Sequence, residues 1–392
     1  MFGESGSIQL VRVFGIRIGA SPSWFLILFV AIYLLSGSFQ DALGGTSTEA
    51  YVVAVASAIL YFGSVIVHEL GHAVAARREG MEVHGIELWL FGGLTRTSPD
   101  SRTPGEEFRV SAAGPLATLL VVIVCFAAAV ALTGFDRAID LALLEAGTNP
   151  SPIELLVAFV GTMNALLLVF NLVPAFPLDG GRIARAIAWR ATGSRAKGTI
   201  FAAWLGQGFG ALLIAFGIYT LLVSDDAFSG IWWLILGYLI FGSARSAAVT
   251  ARVGDRLEGI RVEDVMNREP LTMPAATTVI QAHDEFFAGD EAWPWYPVID
   301  DAGRFLGIAE QGAVDDAIAA GRPALPVTDL LDDQAPTGQS VGTDQPLEAA
   351  IAAEPLRRLG AVMAVDAEGR LRGVLTYDQV RRALTAAAPS RP

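Results

Sequence analysis

Cysteine occurs once in these 392 residues, at Cys125, which excludes an intrachain disulfide framework and any zinc cluster built on thiolates. Histidine occurs four times, at His68, His72, His84 and His283, so imidazole chemistry must come from that short set. Charged residues are scarce as well, at 17% against 53% hydrophobic, with a mean hydropathy of +0.49. That balance excludes an ordinary soluble protein, because the apolar residues gather into runs long enough to cross a bilayer. A basic n-region followed by an apolar core is missing from the first residues, so the first span is expected to be retained rather than cleaved.

Six apolar runs, at about 23–40, 51–77, 110–133, 153–173, 199–223 and 230–249, predict a multi-pass α-helical membrane protein of six transmembrane helices. Six spans place both termini on one side. Fifteen Arg and Lys residues between Arg12 and Arg256 fall on that side and only Arg137 on the other, so both termini are expected in the cytoplasm, in the plasma membrane of a cell. The alternation Ile8 to Ile18 predicts a short strand near the membrane surface. The partial alternation after Met81, ended by Gly92 and Gly93, predicts strand or hairpin segments whose free edge could hold an unfolded peptide. An interfacial loop anchored by Trp89 and Phe91 is the alternative.

Inside the second run stands Val67-His68-Glu69-Leu70-Gly71-His72. On a helix His68 and His72 lie at i and i+4 on one face, so both imidazoles can reach one tetrahedral zinc, with Glu69 beside them as a base for water. Ionisable groups at bilayer depth are costly, which favours a functional reading over a pair of satisfied histidines. His84 lies outside the spacing and is expected at the surface. A hydrolytic zinc usually takes three protein ligands. The acidic residue placed to be the third is Asp179, after the helix-breaking Pro174 and Pro177 and before Gly180 and Gly181, which permit close approach. Asp179 could instead cap the helix that starts near Arg182.

His68-Glu69-x-x-His72 together with Asn171-x-x-Pro174-x-x-Pro177-Leu178-Asp179-Gly180 resembles the site-2 protease family of intramembrane zinc metalloproteases, over about residues 8–250. The resemblance implies one zinc per chain held by His68, His72 and Asp179. It implies Glu69 as general base and Asn171 as a group that holds or polarises the scissile peptide. It also implies a membrane-anchored protein substrate in the lipid bilayer, such as an anti-sigma factor or a transcription-factor precursor. Where many members read Gly-Pro-x-x-Asn, this chain reads Gly114-Pro115-Leu116-Ala117-Thr118, which leaves any polar role there open. Gly206, Gly208, Gly210 and Gly217 in the fifth run predict close helix packing, with a parting helix pair as the alternative.

Beyond Arg252 the composition becomes soluble and acidic, with 22 acidic against 11 basic residues from Leu257 onward, which argues against nucleic acid as a partner. Val262 to Met266 recurs as Val327 to Leu331, and Val298 to Ile308 as Ala364 to Val374, an internal duplication. It resembles a tandem pair of cystathionine-β-synthase-type (CBS) domains of α/β fold, expected to be cytoplasmic. The expected domains are 1–250 for the protease, 258–325 for the first CBS copy and 326–388 for the second. Such pairs bind adenine nucleotides or form homodimers, but the terminal Gly373-Val374-Leu375-Thr376-Tyr377-Asp378-Gln379 carries Gln379 where the ribose-binding Asp would stand, and no ligand residues are assigned. An inactive helix-binding relative and a CBS-regulated metal transporter are the competing functions. The first, third, fifth and sixth runs carry no interior ionisable groups to form an ion path.

Overall fold

In a computed structural model of the chain the described residues are 7–89, 92–98, 101–143, 148–224, 227–257, 259–289, 293–331 and 338–386. The chain divides into two compact units, Met1–Ala251 and Arg252–Pro392.

The first unit carries six helices long and apolar enough to cross a membrane. They are α1 (Pro22–Leu43), α2 (Ser47–Arg78), α3 (Pro104–Thr133), α5 (Pro152–Leu172), α7 (Arg195–Val223) and α8 (Ala227–Leu257), with the short α4 (Phe135–Ala142) and α6 (Asp179–Thr192) between them. Local chemistry marks their ends. Thr46 caps α2 by accepting from the Glu49 N–H, Arg77 and Arg78 complement its C-terminal dipole, and Ser151 and Glu154 form a capping box on α5. α2 is the innermost span, with 39% of its apolar window buried against 11–22% in the other five.

A four-stranded sheet packs against α2, in the order β1 (Ile8–Val13), β2 (Ile16–Ala20), β3 (Glu82–Trp89) and β4 (Gly92–Ser98). The single N-terminal strand expected from sequence is a hairpin: Phe14 and Gly15 take φ of 50° and 75°, and this pair of positive angles turns the chain back. The segment after Met81 is a hairpin too, not an interfacial loop, because β3 pairs parallel with β2 and antiparallel with β4. The paired glycines open β4 rather than end the alternation; Phe91 lies outside the described residues. Ile16, Ile18, Ile86 and Leu88 are each at most 1% exposed, and burial of such side chains is worth about 1.5–3 kcal/mol each. This contact occupies the face of α2 bearing Val65, Ile66, Leu70 and Ala73. The neighbouring face carries His68 and His72.

Of the four glycines singled out in the fifth run, which α7 contains, Gly206 packs against Phe176 and Ala244, Gly210 against Gly237 and Gly217 against Gly230, whereas Gly208 meets open space. Small residues thus bring α7 and α8 together, as expected for close packing.

The second unit repeats one topology. Strands β5 (Met273–Pro274), β6 (Trp295–Ile299) and β7 (Phe305–Glu310) form one sheet, and β8 (Ser340–Gly342), β9 (Ala361–Val365) and β10 (Leu371–Thr376) the other. Each has a parallel first pair and an antiparallel hairpin. The hairpin turns match: Asp300 accepts from the Arg304 backbone N–H and guanidinium, and Asp366 from the Arg370 N–H and the Arg372 guanidinium. These bonds hold both carboxyls below the usual range, at Asp366 against an opposing push from desolvation. The two cores exchange their opening segments. Val262 packs with Val341, Leu347 and Val362, while Val327 packs with Met273, Val279 and Val298.

Candidate metal centre

Two histidines one helical turn apart cannot by themselves fix a metal, so the centre depends on what α3 and the 173–178 turn bring to α2. His68, Glu69 and His72 are 5%, 8% and 7% exposed. α5 ends at Leu172, the chain passes Pro174 and Pro177, and α6 begins at Asp179. A Cβ on Gly180 would fall on the carbonyl oxygens of Leu172 and Val173, and one on Gly181 on the backbone of Ala175 and Phe176. Only glycine lets the turn fold so tightly against the new helix.

The turn delivers the Asp179 carboxylate to the imidazoles. Its Oδ2 lies 3.1 Å from His68 Nε2 and 3.2 Å from His72 Nε2, and the two Nε2 atoms are 3.2 Å apart. Leu178, not Asp179, occupies the N-cap of α6, and no side chain caps that helix. Among the described residues these three form the group of His, Cys, Asp or Glu whose ligand atoms converge, all within 4.8 Å of one another. Ligands at about 2.0–2.1 Å around a tetrahedral zinc stand about 3.3 Å apart, so this triangle fits one face of such an ion.

The imidazoles are oriented from behind by α3. His72 Nδ1 lies 2.8 Å from the Val110 carbonyl, which can only accept, so the proton sits on Nδ1 and the Nε2 lone pair faces Asp179. His68 Nδ1 lies 2.8 Å from Thr118 Oγ1, and the Thr118 hydroxyl also reaches the Gly114 carbonyl at 3.3 Å. With its hydrogen on Gly114, Thr118 accepts the His68 N–H and fixes the same tautomer. Gly114 itself faces His72, and a Cβ there would overlap the imidazole. Gly71 of α2 lies against α3 in turn: a Cβ on it would come within 2.6 Å of the Ala113 carbonyl oxygen.

Glu69 is held by β4. The Thr95 hydroxyl donates to Glu69 Oε2 at 2.6 Å, and Gly93 is so close that a Cβ there would overlap the Glu69 side chain. Asn171, one residue from the end of α5, is half-buried and outside the converging group. His84 is exposed on β3. Sequence reasoning missed the roles of Thr118, Thr95, Gly93 and Gly114. Gly114-Pro115-x-x-Thr118 and the Gly92-Gly93 pair were visible signals, but neither says which side chain it will meet.

Residues 56–215 match peptidase family M50, and residues 262–319 match the CBS domain. A relative from Synechocystis sp. that carries a zinc metalloprotease name is 30% identical over 389 residues, covering 98% of this chain and 97% of its own. Rip3 of Mycobacterium tuberculosis, also named among the zinc metalloproteases, is 32% identical over 353 residues, covering 85% and 86%. Among solved structures, the site-2 protease from Methanocaldococcus jannaschii is 27% identical with a TM-score of 0.41, covering 62% of this chain and 95% of that one.

Proposed function

Because the chain belongs to peptidase family M50 and is a site-2-protease-type metalloendopeptidase, we propose that it hydrolyses peptide bonds in or near transmembrane segments of membrane-anchored regulators. The six long helices cross the plasma membrane with both termini in the cytoplasm, as the distribution of arginines supports. The observation that carries the reading is the convergence of His68, His72 and Asp179 at 3.1–3.2 Å in a buried site beside Glu69.

In this mechanism His68 and His72 offer their Nε2 lone pairs and Asp179 its carboxylate to one zinc. When bound, the ion supplies a Lewis acid for the peptide carbonyl and lowers the pKa of water toward neutrality. Glu69, held by Thr95, takes the water proton and passes it to the leaving amine. Asn171 donates to the developing oxyanion from the end of α5. A substrate helix must unwind first, because its carbonyls are engaged in its own hydrogen bonds. β4 is one of the two edge strands of its sheet, the one beside Glu69, and supports a site for the unwound segment through backbone pairing.

The CBS pair serves as a regulatory attachment, through adenine nucleotide or through pairing of two chains. The Gln379 amide oxygen accepts from the Thr376 N–H at 2.7 Å and the Thr376 hydroxyl at 3.1 Å, which engages it locally.

A chelation experiment tests the proposal. Purified protein in lipid vesicles is expected to cut a co-reconstituted single-span substrate, to stop on zinc chelation and to resume when zinc is returned. Binding of the substrate without cleavage under zinc-replete conditions, across a panel of single-span proteins, would favour a helix-binding role instead.

A further inference from the structure

One buried carboxylate near the centre takes no part in the chemistry above. Glu107, in the first turns of α3, is 1% exposed. Its Oε1 accepts from the Arg185 guanidinium in a close contact and from Arg182 Nε at 3.4 Å, and both arginines belong to α6. The Arg185 guanidinium also lies 6.0 Å from the centre of the Phe176 ring, in the turn that leads into Asp179. Asp179 is the first residue of the helix that Glu107 grips.

Three observations give this ion pair a task beyond holding helices together. The Asp179 carboxylate has no capping bond of its own, so its direction follows from where α6 sits. Glu107, Val110, Gly114 and Thr118 stand at i, i+3, i+7 and i+11 on α3. They meet in turn the arginines of α6, the His72 Nδ1, the His72 ring and the His68 Nδ1. One stripe of α3 therefore registers all three ligands. Finally, a buried ion pair is a poor way to gain stability, since apolar side chains of the same volume often do as well or better. Its use here points to geometry.

We propose that Glu107, with Arg185 and Arg182, is a positioning cluster that sets Asp179 in the place of third ligand, so that metal affinity depends on an ion pair outside the ligand set. The inference rests on the ligand set proposed above. Groups that orient metal ligands from outside usually change affinity 10–100-fold when removed.

The test uses the full-length protein and two metals. Zinc affinity is measured by competition with a chelator, and the visible spectrum of the cobalt-loaded protein reports the ligand set. Glu107→Gln and Arg185→Gln are each expected to weaken zinc by about 10–100-fold and to lower the cobalt band intensity as Asp179 moves away. The double variant is expected to lose about as much as either single, because the two act as one unit. It removes both charges together and so carries the test if a single variant, left with one unpaired buried charge, does not fold. Arg185→Lys keeps the charge and is expected to recover most of the affinity, since Arg185 Nε has no partner and one donor carries the contact. Arg137→Gln breaks the ion pair to Glu154, between α4 and α5, and is expected to leave zinc affinity unchanged. Unchanged zinc affinity and cobalt spectrum in a folded double variant, with Asp179→Ala still losing zinc, would overturn the positioning role alone. Zinc retained in Asp179→Ala would overturn the ligand set and this inference together.

Discussion

Glu69→Gln is expected to leave about one zinc per chain and to lower cleavage of a membrane-anchored substrate by about 10²–10⁴-fold, the range that a positioned general base supplies. The substitution is nearly isosteric, and the amide oxygen of Gln can still accept the Thr95 hydroxyl that reaches Glu69 Oε2 at 2.6 Å. Gly93 presses on the same side chain, so the replacement is held where Glu69 was. What is lost is basicity. Since Glu69 is not among the three converging ligand atoms, metal content should not change. Zinc content and turnover measured on one preparation separate the two effects. Cleavage within about tenfold of the unaltered protein would contradict the base assignment.

Gly114→Ala is expected to abolish tight zinc binding, and activity with it, although it adds a single methyl group. The new Cβ would overlap the His72 imidazole, whose Nδ1 is fixed on the Val110 carbonyl at 2.8 Å. Retreat of α3 would not spare the site, because it would pull the Val110 carbonyl off His72 and the Thr118 hydroxyl off His68, each now at 2.8 Å. The ring must therefore swing away, and a displaced ligand should cost about 100-fold or more in affinity, at the upper end of what losing an orienting contact costs. Overpacking of this kind costs about 1–3 kcal/mol, so the protein should still fold. Gly208→Ala, where a Cβ meets open space, is the matched control and should bind zinc normally. Equal zinc affinity in the two variants would contradict this account of α3.

Much of the architecture was legible because its signals are local. Each of the six apolar runs overlaps one long helix, and the i, i+4 spacing puts His68 and His72 on one side of α2. The broken stretch from Pro174 to Gly181 pointed to Asp179 because prolines end helices and glycines permit close approach. What stayed hidden depends on partners distant in sequence. Thr118 lies 50 residues from His68, Thr95 lies 26 from Glu69, and Arg185 lies 78 from Glu107. No periodicity records such pairings. The N-terminal hairpin was missed for a different reason: Phe14-Gly15 sits in an apolar-rich stretch with no Pro, Asn or Asp to mark a turn, and the positive φ of both residues shows that the chain reverses.

The central claim is that His68, His72 and Asp179 hold one zinc, and metal analysis of the purified protein tests it most directly. The account predicts about one zinc per chain in the unaltered protein, lost in His68→Ala and in Asp179→Ala while both remain folded. Full zinc retention in Asp179→Ala, or none in the unaltered protein when zinc is plentiful, would contradict it.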